Sequence, residues 1–233
     1  MGIQSSVLAA VLTASVALLG GCKASPSVEV YLSDVVAVAA GETKPVTATA
    51  QIAFEVMTKA KCEEDQAKLV GILSRQFDAV KDFTCADPPK GGLYAEARFT
   101  TKLPIVAFND KGEVRLSRLL TVAVERRPQE GGLSVNLFLS QPAMKSLAAD
   151  IRQLYMYDIG RGDIGAARVV VVNDLPADSD VTGSVSYVNG APRPFRWKQA
   201  LPRREKLEIG LSNVHADALR TGAAVPVFLI PAK

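Results

Sequence analysis

Histidine, cysteine and aromatic residues are scarce in this chain of 233 residues. His215 is the single histidine, and the three cysteines are Cys22, Cys62 and Cys85. So few imidazole and thiol groups argue against a zinc or other transition-metal site, because these sites need several such ligands. Aromatic residues make up 6% of the chain, but 48% of the residues are hydrophobic, which is typical of a globular protein and not of a disordered one.

Charged side chains are absent from the first 21 residues. The apolar stretch 7–19 has the length of a signal-peptide core and is too short to cross a bilayer as a helix. It closes on a Leu-Gly-Gly-Cys string that ends at Cys22 and resembles the lipobox of bacterial lipoproteins. The resemblance implies that residues 1–21 are a signal peptide and that Cys22 carries a lipid. The usual early Lys or Arg is missing, so an ordinary secretory signal and a buried apolar N-terminus are the alternatives.

The residue after the lipidated cysteine directs these lipoproteins to the inner or the outer membrane, and an aspartate there usually means retention at the inner membrane. Lys23 occupies that position and therefore favours the outer membrane, with the domain facing the periplasm. Acyl chains on the cysteine contribute about 0.8 kcal/mol per buried methylene, so two or more chains hold a protein stably on a membrane. Residues 22–27 are interpreted as the lipidated cysteine and a short polar tether.

The other two cysteines are expected to pair. Cys22 is occupied by the lipid, and export places Cys62 and Cys85 in an oxidising compartment. The sequence therefore predicts a disulfide between them, which would stabilise the fold by roughly 3 kcal/mol on the chain-entropy model. Two separate buried thiols are the alternative.

Hydrophobic residues alternate with polar ones along most of the mature chain, which is typical of half-buried strands. The Asn189-Gly190 pair after the strand at 184–188 predicts a tight hairpin turn. Helical spacing predicts two principal helices, at residues 63–78 and 142–156, and a short one at 213–220. We therefore expect an α+β fold of mainly antiparallel sheet with two principal helices packed on it. Strands surround a helix twice, which suggests two related β-α-β halves at residues 28–110 and 111–233, although no residue-level repeat supports this.

Residues that could carry catalysis are few. His215 lies close in sequence to Ser212 and Asp217, but neighbours on one short helix do not supply the geometry of a triad. The glycine-rich segment 160–165 has the spacing of a dinucleotide fingerprint, yet it follows a helix and precedes a strand, which is the wrong order. We interpret it as a loop, and its Arg-Gly-Asp tripeptide is short enough to arise by chance. The sequence predicts no catalytic residue, metal or cofactor; an envelope hydrolase with unrecognised residues is the alternative.

Basic residues cluster between positions 193 and 206, around the only tryptophan of the chain. Such a surface suits anionic lipid, with the ring at the interface, or an acidic envelope protein or glycan. The net charge of +3 and the expected export disfavour nucleic acid. The simpler interpretation is a solvated hairpin in which Phe195 and Trp197 pack inward while the cations point out. The candidate binding patch comprises Arg193, Arg196, Trp197, Lys198, Arg203, Arg204 and Lys206.

Four features together resemble an uncharacterised lipoprotein family of Gram-negative bacteria and their phages. They are the lipobox, the opening at residues 28–34, the Thr- and Ala-rich strand after it, and the cysteines that flank a helix. The resemblance covers most of the mature chain, and none of its motifs is a catalytic signature. No functional residue can be carried over from it. We expect a non-enzymatic outer-membrane lipoprotein that binds or scaffolds an envelope partner, in an undetermined oligomeric state. A phage lipoprotein that blocks superinfection and a purely structural lipoprotein are further alternatives.

Overall fold

A computed structural model describes residues 23–89, 92–108, 118–127, 129, 131–155 and 166–231. The predicted signal peptide and Cys22 lie outside the described residues, as does the glycine-rich segment 160–165. Strands account for 49% of the structure and helices for 24%. None of the described helices is long and apolar enough to span a membrane.

The elements follow one another in a mainly β order. Up to residue 107 they are β1 (Ala24–Tyr31), α1 (Leu32–Ala39), β2 (Val46–Val56), α2 (Lys59–Glu64), α3 (Gln66–Leu73), β3 (Asp78–Ala86) and β4 (Ala95–Ala107). After it come β5 (Leu120–Arg127), β6 (Gly132–Leu139), α4 (Gln141–Tyr155), β7 (Arg168–Val172), β8 (Ser179–Gly183), β9 (Ser186–Val188), β10 (Ala191–Arg193), β11 (Trp197–Leu201), β12 (Lys206–Leu211), α5 (Asn213–Arg220) and β13 (Val225–Pro231).

The prediction of an α+β fold with two principal helices is wrong. The described strands form a single 13-stranded sheet, and the five described helices are short. Strands of the second expected β-α-β half lie on both sides of the strands of the first, because β1 pairs in parallel with β7 and β4 pairs in parallel with β5. The physical reason is that each strand has one apolar face and two edges that form hydrogen bonds. When the strands pair along both edges, their apolar faces are buried together in one core.

The sheet has the strand order β10-β9-β12-β7-β1-β2-β4-β5-β6-β13-β8-β11, and β3 also pairs with β4. β8 and β9 are far apart in this order, yet only residues 184 and 185 separate them along the chain. The sheet must therefore curve so that its two ends approach each other. One core cluster accordingly draws side chains from strands throughout the order, such as Val30, Val122, Val181 and Ile209.

Several local predictions are confirmed. α4 and α5 match the helices expected at residues 142–156 and 213–220. The Asn189-Gly190 pair makes the turn between β9 and β10, with positive φ values of 48° and 79° as a tight hairpin turn requires. The helix expected at 63–78 is wrong in its bounds, since Asp65 separates α2 from α3 and β3 begins at Asp78.

The first strand of the sheet begins at Ala24, the second residue that the structure describes. Residues 24–27, expected as part of a tether, form the first half of β1 and pair with residues 51–54 of β2. The buried Pro26 continues the alternation of Val28 and Val30, which explains why this small polar segment joins the strand.

Candidate binding surface

The exposed connection between β10 and β11 carries two of the candidate cations. Arg193 ends β10, and Trp197 begins β11. We call residues 193–196 the tip; all four of them are exposed, and Phe195 exposes 80% of its surface. The expectation that Phe195 packs inward is therefore wrong, because the chain leaves β10 before the strand alternation reaches this residue.

Trp197 has a structural position at the base of the tip. Its ring packs against the core cluster, and its indole Nε1–H donates a hydrogen bond to Ser186 Oγ at 2.8 Å. Gly183 leaves room for the ring, because a Cβ on this glycine would lie 2.5 Å from Trp197 Cζ2. The bond to Ser186 joins β11 to β9, so Trp197 holds the two ends of the strand order together.

Two cations of the predicted patch are neutralised by ion pairs. Lys198 Nζ lies 2.7 Å from Asp180 Oδ2, and Lys206 Nζ lies 2.8 Å from Glu29 Oε2. The second contact lowers the pKa of Glu29 and raises the pKa of Lys206, mainly through the hydrogen bond between them. These two lysines therefore bind acidic side chains of their own domain.

Arg203 and Arg204 lie away from the tip. Both belong to the turn between β11 and β12, at the opposite end of β11 from Trp197. The backbone N–H of Arg203 donates to Asp178 Oδ1 at 2.9 Å, and Arg204 adopts a positive φ of 67°. The predicted patch is thus divided into two parts at the two ends of one strand.

Arg193 and Arg196 are the cations that the tip itself presents. Neither has an ion-pair partner among the described residues, and Phe195 lies between them. A guanidinium presents a planar set of N–H donors that suits phosphate and carboxylate oxygens. The tip therefore combines a solvent-exposed ring with two arginines that can take an anionic partner.

A cleft of about 290 Å³ adjoins the tip on the side of β8 and β13. It forms where these strands separate, since they pair only at Leu229 and Thr182. Arg196 and Arg127 line it together with the hydroxyl-bearing Ser184, and no acidic residue is among the described residues of its lining. Arg127 also contacts Glu125, at 2.8 Å. Sequence reasoning missed Arg127 because only the tertiary fold brings β5 near the tip.

Among the residues that the structure describes, no hydrogen bond joins the imidazole of His215 to Ser212 or Asp217. Ser212 is the N-cap of α5, and its hydroxyl accepts the backbone N–H of His215 at 3.4 Å. Asp217 instead contacts Arg220 at 3.4 Å. These contacts are typical of helix capping and of a surface ion pair.

We expect His215 to make stability fall as the pH drops. Burial lowers the pKa of His215 from the usual 6.5. As the pH falls through this value, the unfolded chain binds a proton at His215 before the folded protein does. The unfolding free energy should therefore be highest above pH 6.5 and decrease below it. His215→Gln should reduce the difference in urea-unfolding free energy between pH 7 and pH 5. An equal difference in both proteins would show that His215 does not contribute.

Cys62 and Cys85 are placed as a disulfide pair, with Cα atoms 5.9 Å apart. Cys62 is 1% exposed on α2, and Cys85 lies in β3 opposite Ala97 of β4. The prediction that these two cysteines come together is confirmed. The cross-link joins the helical segment after β2 to the strand that follows it.

Together these features define a predominantly β domain with one curved sheet, one cysteine pair and an exposed arginine-rich tip. The chain belongs to the family described as domain of unknown function DUF7424, whose model matches residues 25–233. No curated protein and no solved structure matches the chain. The family match begins after the segment that resembles a lipobox, so the resemblance to a lipoprotein family stays a prediction.

Proposed function

We propose that this protein is a lipid-anchored protein of the bacterial outer membrane, with a periplasmic domain that binds an anionic partner without catalysing a reaction. The lipid is attached at Cys22, and the binding surface is the tip. The observation that carries the proposal is the pair of exposed arginines, Arg193 and Arg196, which flank the exposed Phe195 in the sequence.

The cysteine pair supports the export that this proposal requires. Disulfides persist in oxidising compartments such as the periplasm and are rare in the cytosol. The sulfur atoms of Cys62 and Cys85 are placed for such a bond, and Cys22 is the remaining cysteine of the chain. This assignment gives each of the three cysteines a role: one carries the lipid, and the other two form the disulfide.

The rigid support of the tip favours binding. The pairing of Arg193 with Ser186 of β9 holds one side of the tip, and the packed Trp197 holds the other. The side chains at these supporting positions are already held in place. Little conformational entropy is therefore lost when a partner binds, which favours affinity.

Cys22→Ser tests the anchor. The variant should no longer incorporate radioactive palmitate and should leave the membrane fraction, because serine lacks the thiol that receives the diacylglyceryl group. The double variant Cys62→Ser/Cys85→Ser is the matched control and should still be labelled. Unchanged labelling and membrane fractionation of Cys22→Ser would contradict the proposed anchor.

A further inference from the structure

The cleft beside the tip exists because β8 and β13 separate after a single pair, Leu229 with Thr182. Pro226 has no backbone N–H to donate to a neighbouring strand, and the pairing of β13 with β6 shifts its register between Pro226 and Phe228. Gly183, on the facing strand, carries no side chain that could fill the space. The backbone of these two strands therefore forms an open cleft of about 290 Å³.

Two guanidinium groups from distant parts of the chain reach this cleft. Arg196 belongs to the tip and Arg127 ends β5, and both line the cleft. Arg196 is exposed and has no ion-pair partner in the described ranges. Arg127 contacts Glu125 at 2.8 Å, which fixes the orientation of its guanidinium. Arg196 thus supplies positive charge that no described acid offsets, and Arg127 supplies N–H donors in a fixed direction.

A buried hydroxyl adds a further donor to the cleft. Ser134 of β6 lines the cleft and exposes 4% of its surface, and its Oγ accepts a hydrogen bond from Asn136 Nδ2 at 3.4 Å. The hydroxyl proton of Ser134 meets no acceptor among the described residues. Most buried polar groups have hydrogen-bond partners, so a buried donor that lines a cleft indicates that a ligand supplies the acceptor.

The arrangement of donors favours a tetrahedral anion over a planar one. One guanidinium can bind both oxygens of a carboxylate in a single plane. A phosphate monoester has three terminal oxygens that point in different directions, and the donors of the cleft come from the tip, from β5 and from β6. The cleft is close to the lower limit of volume for small-molecule sites, so it can take a phosphate group with a few attached atoms.

We propose that this cleft is a binding site for a phosphate monoester, whose terminal oxygens are held by Arg196, Arg127 and Ser134. The inference rests on the proposed function and gives a chemical class to its anionic partner. The monoester belongs either to a soluble compound or to a lipid headgroup, since the same donors would bind both.

Calorimetric titration of the full-length lipidated protein with glycerol 3-phosphate tests the site. The protein is held in a nonionic detergent at physiological ionic strength. We expect saturable binding at one site, no binding of glycerol, and weaker binding of acetate. The emission of Trp197 should change with the same midpoint, because its ring packs on Gly183 in the wall of the cleft.

Variants locate the bound phosphate. Arg196→Gln should raise the dissociation constant about tenfold or more, because it removes a charged hydrogen-bond donor. Arg193→Gln is the matched control: it removes the same charge from the same tip, but Arg193 is not among the described residues that line the cleft. Salt screening should keep its effect below about twofold. Arg127→Lys keeps the charge beside Glu125 and removes the planar set of donors, so it should weaken binding several-fold. Circular dichroism of each variant checks the fold.

A second ligand distinguishes the two sources of the phosphate. Phosphatidic acid in mixed micelles carries the same monoester as a lipid headgroup. Binding of both ligands that depends on Arg196 supports a site for soluble phosphate compounds, and such binding of phosphatidic acid alone supports a headgroup site. The proposal is overturned if neither ligand binds, or if Arg193→Gln weakens binding as much as Arg196→Gln does, since the attraction would then belong to the whole tip.

Palmitate labelling of the same preparations separates failure of this site from failure of the anchor. Labelled protein that binds neither ligand disproves the phosphate site and leaves the anchor standing. Unlabelled protein disproves the lipid anchor of the proposed function, whereas the titration still decides whether the cleft binds phosphate.

Discussion

Loss of the link between Cys62 and Cys85 is expected to lower the free energy of unfolding by about 3 kcal/mol. The two cysteines are 23 residues apart in sequence, so the bond closes a loop of intermediate length in the unfolded chain. Opening this loop increases the entropy of the unfolded state on the chain-entropy model. A loss of this size is a large part of the total stability of a typical domain.

The loss of local stability should be greatest around β3, because the other contacts of this strand hold it weakly. Among the described strands β3 pairs only with β4, and its register shifts twice, between Asp78 and Lys81 and between Lys81 and Thr84. Ala79 and Asp82 have positive φ values of 51° and 52°, which interrupt the regular strand. Without the cross-link, α2 and β3 would be joined only by their noncovalent packing.

Urea unfolding of Cys62→Ala/Cys85→Ala should show this loss, and hydrogen exchange should become faster over residues 78–86. Dithiothreitol should destabilise the parent protein to a similar extent and leave the double variant unaffected. Equal unfolding curves for the parent with and without reductant would mean that the bond does not form or does not contribute.

A methyl group at position 183 is expected to cost about 1–3 kcal/mol of stability. In Gly183→Ala the new Cβ would lie 2.5 Å from Trp197 Cζ2 and 3.2 Å from the carbonyl oxygen of Val227. The backbone of β13 cannot move far without disturbing its pairs, so the indole must be displaced. Displacement would break the hydrogen bond to Ser186 and loosen the contact between β11 and β9.

Fluorescence reports this displacement directly, since Trp197 is the only tryptophan of the chain. Its emission should shift to the red in Gly183→Ala as the ring becomes more exposed to water. The matched control is Gly71→Ala on the exposed side of α3, where an added Cβ meets no atom within 4 Å. This control should raise stability by about 0.5–1 kcal/mol, because alanine favours a helix. Unchanged stability and emission in Gly183→Ala would contradict the close packing of Trp197 on Gly183.

The helices that sequence reasoning located correctly have regular local patterns. α4 repeats its apolar residues at helical spacing, and α5 begins at a Ser N-cap, so local signals suffice for both. α1 was missed because residues 35–40 are all apolar, so the buried Leu32, Val35 and Val38 do not stand out from their neighbours as one face of a helix. β3 was missed because its two register shifts remove the period of two on which strand prediction depends.

The candidate patch shows that amino-acid composition does not distinguish paired cations from unpaired ones. The sequence correctly places many cations between residues 193 and 206, but acidic partners from distant segments neutralise Lys198 and Lys206. Asp180 and Glu29 approach these lysines only through the pairing of β11 with β8 and the neighbouring positions of β12, β7 and β1. Arg193 and Arg196 carry the same charge as these lysines, but no acidic side chain of the described residues pairs with them.

The sequence by itself determined the alternation that makes strands, the turn at Asn189-Gly190 and the two cysteines available to pair. These properties depend on backbone preference and on covalent chemistry, which act over a few residues or are independent of the fold. Tertiary structure decided that all described strands share one sheet, that Phe195 is exposed, and that Arg196 of the tip lines a cleft together with Arg127. Those outcomes depend on which edges pair and which charges meet, and such contacts join residues far apart in the chain.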